Sequence, residues 1–275
     1  MPYRELSTIT VTVERGVAWA TIDNPPMNLW DRTFTGDLVR LIGAFEHDDS
    51  ARVLALTSAD PEFFIAHADV DMIRKMPADA QGTTGAPAPV NQLLERLRLM
   101  PKISIAAVSG IARGGGSEIA LACDLRIAAR SARLGQPEVA LGIIPGAGGT
   151  QRLTRLVGRS RALEIIIGCR DVTGEEAAAV GYVNRAVDDD QLKPFVRDLA
   201  TRIAAMPAAA LAAAKRAVDA VGDDRDAGFA VEADEFRSTL NDDARGRMQR
   251  FLDAGGQTRE GERDLEPLIR GLLDW

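Results

Sequence analysis

The sequence predicts an α/β fold in which strand pairs, each followed by a helix, stack into a spiral, with a helical region after it. Three observations lead there. Short β-type runs alternate with helical patterns through most of the chain. The pair-then-helix rhythm recurs at intervals of roughly 45 to 50 residues, which favours a stacked or spiral arrangement over a single doubly wound sheet, although no residue-level repeat accompanies it. From Leu192 onward the patterns are helical.

The elements follow in order. Residues 8–23, TITVTVERGVAWATID, alternate apolar and polar positions around Glu14-Arg15-Gly16, as the two strands of a hairpin do. Asn24-Pro25-Pro26 ends that run, and Asp31 is placed to cap a helix that puts Phe34, Leu38, Leu41, Ile42 and Phe45 on one face. VLALTS, 53–58, is a short apolar strand; Ala59-Asp60-Pro61 then turns the chain into PEFFIAHADVDMI, expected to end in a loop-like cluster. The stretch Pro77 to Pro89, PADAQGTTGAPAP, has little that could pack and is expected to be a mobile surface loop. A helix from Val90 to Leu99 stops near Pro101, and the continuous apolar runs Ile103 to Val108 and Leu125 to Ala129 suit strands buried on both faces. Gly149 to Val157 begins a helix on which Thr150, Arg152 and Arg155 remain polar. After a helical Ala162 to Ile167, Thr173-Gly174-Glu175-Glu176 carries a helix-cap signature and Gly181-Tyr182-Val183-Asn184 reads as a return strand. Leu192 to Ala205 and the alanine-rich Ala208 to Val221 are expected helices, and the charged residues from Val231 form a helical arm or interface. The expected division is a core with the active site at 1–200 and a helical oligomerisation region at 201–275.

Composition narrows the function. With 275 residues, 46% hydrophobic and 27% charged, the chain can bury a substantial core. A net charge of −7 disfavours broad binding to nucleic acid or anionic membranes. Cys123 and Cys169 lie in apolar patterns without metal-ligand spacing, and both are expected to be small core residues. The start, MPYRELSTIT, has no apolar run of the signal-peptide kind, and no segment approaches the roughly 20 apolar residues that span a bilayer, so a cytoplasmic protein is expected.

The chemistry concentrates between Ile103 and Thr150. Gly114-Gly115-Gly116, between a buried strand and a helix, exposes backbone N–H groups at the positive end of the helix dipole, where a phosphate or a developing oxyanion could bind; tight helix–strand packing explains the same glycines. Pro145-Gly146-Ala147-Gly148-Gly149 forms a second such turn. Glu118 and Glu138 could supply proton transfer, or could be a helix-start residue and a solvated turn residue. Asp69 is a ligand or, more in keeping with its turn, a loop cap. Neither a GxGxxG nor a GxxxxGK[ST] pattern is present, which removes the dinucleotide and P-loop readings.

Four segments together resemble the crotonase, or enoyl-CoA hydratase/isomerase, superfamily. AAVSGIARGGGSEIALACDLRIAA is similar to its oxyanion-hole and first-glutamate motif, and LGQPEVALGIIPGAGGTQRLTRLVG to its second-glutamate motif. PEFFIAHADVDMI is similar to its other oxyanion segment, and VTGEEAAAVGYVNRAV to the segment after the catalytic core, so the resemblance spans roughly residues 9–220. It implies a crotonase-type spiral of ββα units with a C-terminal helical trimerisation region, and homotrimers or hexamers. It implies an acyl-CoA substrate, with coenzyme A only as part of that substrate and no metal or other cofactor. The backbone N–H groups of Ala68 and Gly115 would then hold the thioester oxygen. Glu118 would serve the attacking water and Glu138 the substrate C2, as in an enoyl-CoA hydratase acting on 2-trans-enoyl-CoA. Ala66, His67, Asp69, Arg113, Gly114 and Gly146 are the expected substrate-binding neighbours. A double-bond isomerase, hydrolase or decarboxylase of the same superfamily, or a non-catalytic binding protein of that fold, are the alternatives. Three features depart from the family pattern: His67 where glycine is usual, Arg113 before the glycine triplet, and the ending GQTREGERDLEPLIRGLLDW. Arg113 could bind a CoA phosphate or a substrate carboxylate, or form an ion pair.

Overall fold

The alternating apolar run at the start folds as the expected hairpin: β1 (Ile9–Glu14) pairs antiparallel with β2 (Val17–Ile22). The structure is a computed structural model that describes residues 3–77, 85–219, 233–234, 236–237 and 239–272. The Asp31 carboxylate accepts from the Phe34 amide and starts α1 (Arg32–Glu46), which buries Phe34, Leu38, Leu41, Ile42 and Phe45.

Three further strand pairs follow, β3 (Val53–Ser58) with β4 (Phe63–Ile65), β5 (Ile103–Val108) with β6 (Ile111–Arg113), and β7 (Leu125–Ala129) with β8 (Arg133–Gly135). Each sends its first strand to a six-stranded sheet of order β1-β2-β3-β5-β7-β10 and its second to a four-stranded sheet of order β4-β6-β8-β9, where β9 is Val172–Thr173 and β10 is Arg185–Val187. Every turn of the spiral therefore advances one strand in both sheets. β2, β3, β5, β7 and β10 run parallel, as do β4, β6 and β8. The central strands β3 and β5 are buried almost throughout, as near-continuous apolar runs in a parallel sheet are.

The covering helices are α2 (Val70–Arg74), α3 (Pro89–Leu99), α4 (Gly115–Ala122), α5 (Gly149–Val157), α6 (Arg159–Gly168), α7 (Gly174–Val180), α8 (Leu192–Ala204) and α9 (Ala208–Asp219). Thr173 and Glu176 form a reciprocal capping box at the start of α7. Helices Asp242–Asp253, Arg259–Arg263 and Glu266–Leu272 end the described chain.

Several expectations need correction. Gly181–Asn184 is a turn: Gly181, at φ +85°, closes α7, and the return strand begins at Arg185. PEFFIAHADVDMI ends in a helix, α2, because the Asp69 carboxylate accepts from the Asp71 and Met72 amides. The C-terminal helices are not an arm: Phe236, Leu240, Met248, Phe251, Leu265 and Ile269 share one apolar cluster with Val70, Leu141 and Ile143 of the spiral. α8 places Ala200 and Ala204 in the main core. Cys123 is buried as expected, whereas Cys169 is half-buried at the end of α6. Residues 78–84 of the expected loop, and Val221 and Val231, lie outside the described residues.

Close contact between α4 and β4 tests the fold. A Cβ on Gly116 would stand 2.2 Å from the Ile65 carbonyl oxygen and 2.8 Å from Ile65 Cβ. Gly116→Ala is expected to cost roughly 1–3 kcal/mol through overpacking, read as a lower midpoint in chemical denaturation.

Candidate active site

The small sheet delivers the candidate functional residues. β4, β6 and β8 are adjacent and parallel, so the chain leaves all three at one edge, as ligand sites in parallel sheets require. Ala68 follows β4, Gly115 follows β6, and Glu138 follows β8 at the start of a 3₁₀ turn, Glu138–Leu141. The ladder is tied at this edge by the Arg113 amide donating to the Ala66 carbonyl at 3.1 Å and the Gly114 amide to the Gly135 carbonyl at 2.9 Å.

Trp30 sets the backbone around Ala68. Its amide donates to the His67 carbonyl at 2.9 Å, and its carbonyl accepts from the Asp69 amide at 3.0 Å. Between these bonds the Ala68 amide stays uncommitted. Gly114, at φ +46°, turns the chain into α4, and Gly115 then carries one of the amides that a helix start leaves without a carbonyl. Among the described residues neither the Ala68 nor the Gly115 amide donates to a protein acceptor. Glycine at 115 permits their approach, since a Cβ there would lie 3.1 Å from Ala68 Cβ, 3.3 Å from the Ala68 nitrogen and 2.8 Å from the Trp30 ring. The two uncommitted donors therefore sit close together at the positive end of a buried helix, the arrangement that holds a developing oxyanion.

Glu118 lies in the first turn of α4 and is buried. Its Oε1 accepts from the Ala147 and Gly149 amides, both at 2.8 Å, which fixes the carboxyl in one orientation. The Pro145–Gly149 turn is held in its turn: Arg152 Nη1 donates to the Ala147 carbonyl at 2.7 Å while Nη2 donates to Glu95 at 2.8 Å, and Asn91 donates to the Gly146 carbonyl at 3.2 Å. Glu138 Oε1 lies against the backbone of Gly114, where a Cβ would come within 2.5 Å of it. Both carboxyls, Ala68 and Gly115 line one cavity of about 710 Å³. Its walls include Trp30, Met72, Ile73, Leu93, Ile143, Ile144 and Phe236, and Gly146 and Ala147 form part of the same surface. Two fixed amide donors and two carboxyls in an apolar cavity can polarise a carbonyl and move protons to and from the adjoining carbons.

Of the expected substrate-binding neighbours, Gly146 lines this cavity, and Gly114 borders a recess of about 30 Å³ beside it. The others are placed differently. Arg113 is fully buried, its guanidinium paired at two points with Asp171 (2.8 and 2.7 Å) and bound to the Glu262 carbonyl (2.8 Å) and carboxylate (3.2 Å), so it has no reach to a substrate phosphate. His67 shares the small recess with Gly114 but not the lining of the main cavity, and its ring is engaged within the protein, with Nε2 at 2.8 Å from Glu262 and Nδ1 at 2.8 Å from the Ala68 carbonyl. Ala66 packs with Met27, Phe63 and Ile111. Asp69 caps α2.

The sequence held no signal for Trp30, Asp171, Gln257 or Glu262 as members of this region. Each is brought in by tertiary contact, Glu262 to His67 across a separation of 195 residues.

Gly148 tests the turn that holds Glu118. It sits at φ +104°, and a Cβ there would meet Arg152 Nη1 at 2.0 Å. Gly148→Ala combines left-handed strain of about 1–2 kcal/mol with displacement of a buried guanidinium. A clear drop in melting temperature, larger than for alanine at the open position Gly246, is expected by calorimetry.

Comparison with known proteins agrees with this geometry. The family model described as enoyl-CoA hydratase/isomerase matches residues 12–258. The short-chain-enoyl-CoA hydratase of Clostridium acetobutylicum is 35% identical over 252 residues, covering 90% of this chain and 96% of that protein. The crotonyl-CoA hydratase of Syntrophomonas wolfei is 36% identical, with 83% of this chain and 88% of that protein covered. A crystal structure from Streptomyces avermitilis, of a protein provisionally named an enoyl-CoA hydratase, superposes with a TM-score of 0.88 at 39% identity over 98% of this chain and 99% of its own. By the length of the family match, the identity to these relatives and the shared spiral, the chain belongs to the enoyl-CoA hydratase/isomerase family.

Proposed function

We propose that the protein is an enoyl-CoA hydratase, which adds water across the double bond of a 2-trans-enoyl-CoA. The observation that carries this reading is the pairing of two uncommitted amides, Ala68 and Gly115, with two carboxyls, Glu118 and Glu138, in one cavity. Relatives named short-chain-enoyl-CoA and crotonyl-CoA hydratase support it, and they favour a short acyl chain.

Attack of water at C3 moves negative charge onto the thioester oxygen, so the two amides bind the transition state more strongly than the ground state. Water must give up a proton as it attacks, and C2 must receive one. Glu118, held by two backbone amides, is assigned to the water, and Glu138 to C2. An isomerase, hydrolase or decarboxylase could use the same amides, but the retention of both carboxyls favours hydration. The reaction needs coenzyme A only as part of the substrate. For the association of copies, a trimer or hexamer is the proposed state. No described helix is long and apolar enough to cross a membrane; the cytoplasm is the proposed location.

Hydration is read directly as loss of the conjugated thioester absorbance of crotonyl-CoA. Glu118→Gln and Glu138→Gln are each expected to lower kcat by roughly 10²- to 10⁴-fold, with thermal stability near that of the unsubstituted protein. Full activity in Glu138→Gln would exclude the two-carboxyl mechanism, and no turnover on any acyl chain length would exclude the hydratase reading.

A further inference from the structure

The buried polar cluster behind the oxyanion donors takes no part in the proton transfers above, yet it touches both segments that carry those donors. Glu262, on the Arg259–Arg263 helix, exposes none of its side chain. Its Oε1 accepts from His67 Nε2 and from the Gln257 amide, both at 2.8 Å. Its Oε2 lies 3.2 Å from Arg113 Nη1, and its main-chain carbonyl accepts from the same nitrogen at 2.8 Å. His67 is the residue before Ala68, and Arg113 closes β6 just ahead of Gly114 and Gly115. One carboxylate thus grips the chain on either side of the amide pair.

Further bonds make the grip rigid. Asp171 holds the far edge of the Arg113 guanidinium at two points. The Gln257 side chain accepts from the Val70 amide and donates to Asp69 at 3.2 Å, so the C-terminal segment is fastened along the loop after Ala68 as well. His67 Nδ1 faces the Ala68 carbonyl at 2.8 Å, and a carbonyl can only accept. His67 Nε2 faces a carboxylate that a guanidinium also contacts. Both ring nitrogens therefore donate, which makes His67 an imidazolium. Burial is the largest influence and opposes that charge, but the attraction and hydrogen bond of Glu262, with the Ala68 carbonyl, together raise the pKa of His67 above its ordinary 6.5. Burial likewise opposes the Glu262 carboxylate, and the attraction of His67, followed by that of Arg113, leaves it below its ordinary value.

We propose that Glu262 is a positioning residue for the reaction: by clasping His67 and Arg113 it sets the separation of the Ala68 and Gly115 amides, and it makes that separation depend on docking of the C-terminal segment. The proposal rests on the oxyanion-hole reading given above. Its pH sense follows from His67, which Glu262 contacts directly, which the Arg113 charge beyond Glu262 opposes, and which shares the lining of the small recess with Glu138. Because the folded-state pKa of His67 is raised, the stabilisation by its charge is complete below its ordinary value and is lost as pH rises through the raised one. The clasp loosens on the alkaline side.

The test uses the full chain with Glu262→Gln and Glu262→Asp, the latter keeping the charge on a shorter arm. Acetoacetyl-CoA, whose enolate absorbs, reports the oxyanion site without turnover; butyryl-CoA, which forms no conjugated enolate, reports general acyl-CoA binding. Glu262→Gln is expected to weaken acetoacetyl-CoA and its enolate signal by roughly 10- to 100-fold and to lower kcat on crotonyl-CoA by a similar factor. Butyryl-CoA affinity and KM should change by no more than about twofold, as for an interaction expressed mainly in the transition state. The alkaline limb of the kcat profile should move to lower pH, since His67 loses its carboxylate. Glu262→Asp should show the same pattern at smaller amplitude, in a protein whose melting temperature stays close to the unsubstituted one. Loss of melting temperature with enolate affinity and kcat unchanged in both variants would make Glu262 purely structural and overturn the proposal. An unsubstituted protein that binds the enolate but hydrates nothing would sink the hydratase reading and leave the clasp standing; one that binds no enolate would sink both.

Discussion

One hydrogen bond marks where the active site begins: the Arg113 amide to the Ala66 carbonyl, at 3.1 Å, the last rung between β4 and β6. Beyond it one strand leads to Ala68 and the other to Gly114 and Gly115. Because neighbouring parallel strands keep a fixed spacing, the amides just past that rung start close together, and glycine at 115 lets them stay so. The remaining architecture keeps this edge from relaxing. The Gly114 amide on the Gly135 carbonyl adds the third strand, and through it Glu138.

Electrostatics and packing divide the work around that edge. A backbone amide without a protein acceptor carries a cost that grows with its burial, and here two stand side by side at the cavity, Gly115 buried and Ala68 half-buried. The bonds of Trp30 to His67 and Asp69, and the burial of α4 along its whole length, supply the rigidity that keeps Ala68 and Gly115 from finding protein acceptors. Behind them, Asp171, Arg113, Glu262 and His67 alternate in charge, so a fully buried guanidinium and a fully buried carboxylate coexist without net charge. Such a chain contributes little as a set and much as an arrangement: removal of one member leaves its neighbours buried and uncompensated. Gly135 shows how tightly it is seated, for a Cβ there would lie 3.1 Å from Asp171 Oδ1.

The parts of the structure legible from sequence are those with a local cause. The apolar runs at 53–58, 103–108 and 125–129 became β3, β5 and β7 with those limits, since burial on both faces leaves no polar alternation to blur their ends. Asp31 and Thr173 cap their helices because a side chain one turn away suffices. Where a turn and a strand competed over Gly181–Asn184, the left-handed glycine prevailed. Glu118 and Glu138 were ambiguous by spacing, and only the surrounding motifs distinguished them from surface carboxylates. His67 and Arg113 stand out in the sequence as departures, and of the choices open for Arg113, a substrate anion or an ion pair, the structure has the ion pair, with Asp171 and with Glu262 from the far end of the chain. No window of local sequence contains that pairing.

The apolar cluster that joins the C-terminal helices to the spiral governs the order in which the molecule can be completed. Leu141 and Ile143, beside Glu138, are buried against Phe236, Met248, Phe251, Leu265 and Ile269, residues synthesised only after both sheets have emerged. The spiral can pair its strands as it is made, each with the one before, but one side of its catalytic edge has to wait for a contact that closes a loop of more than 90 residues, Ile143 to Phe236 being the shortest such span among these residues (236 − 143 = 93). A nascent chain that has formed its sheets therefore holds its glutamates before it has the wall behind them, so competence for chemistry arrives as a late event in folding, set by the arrival of the final helices.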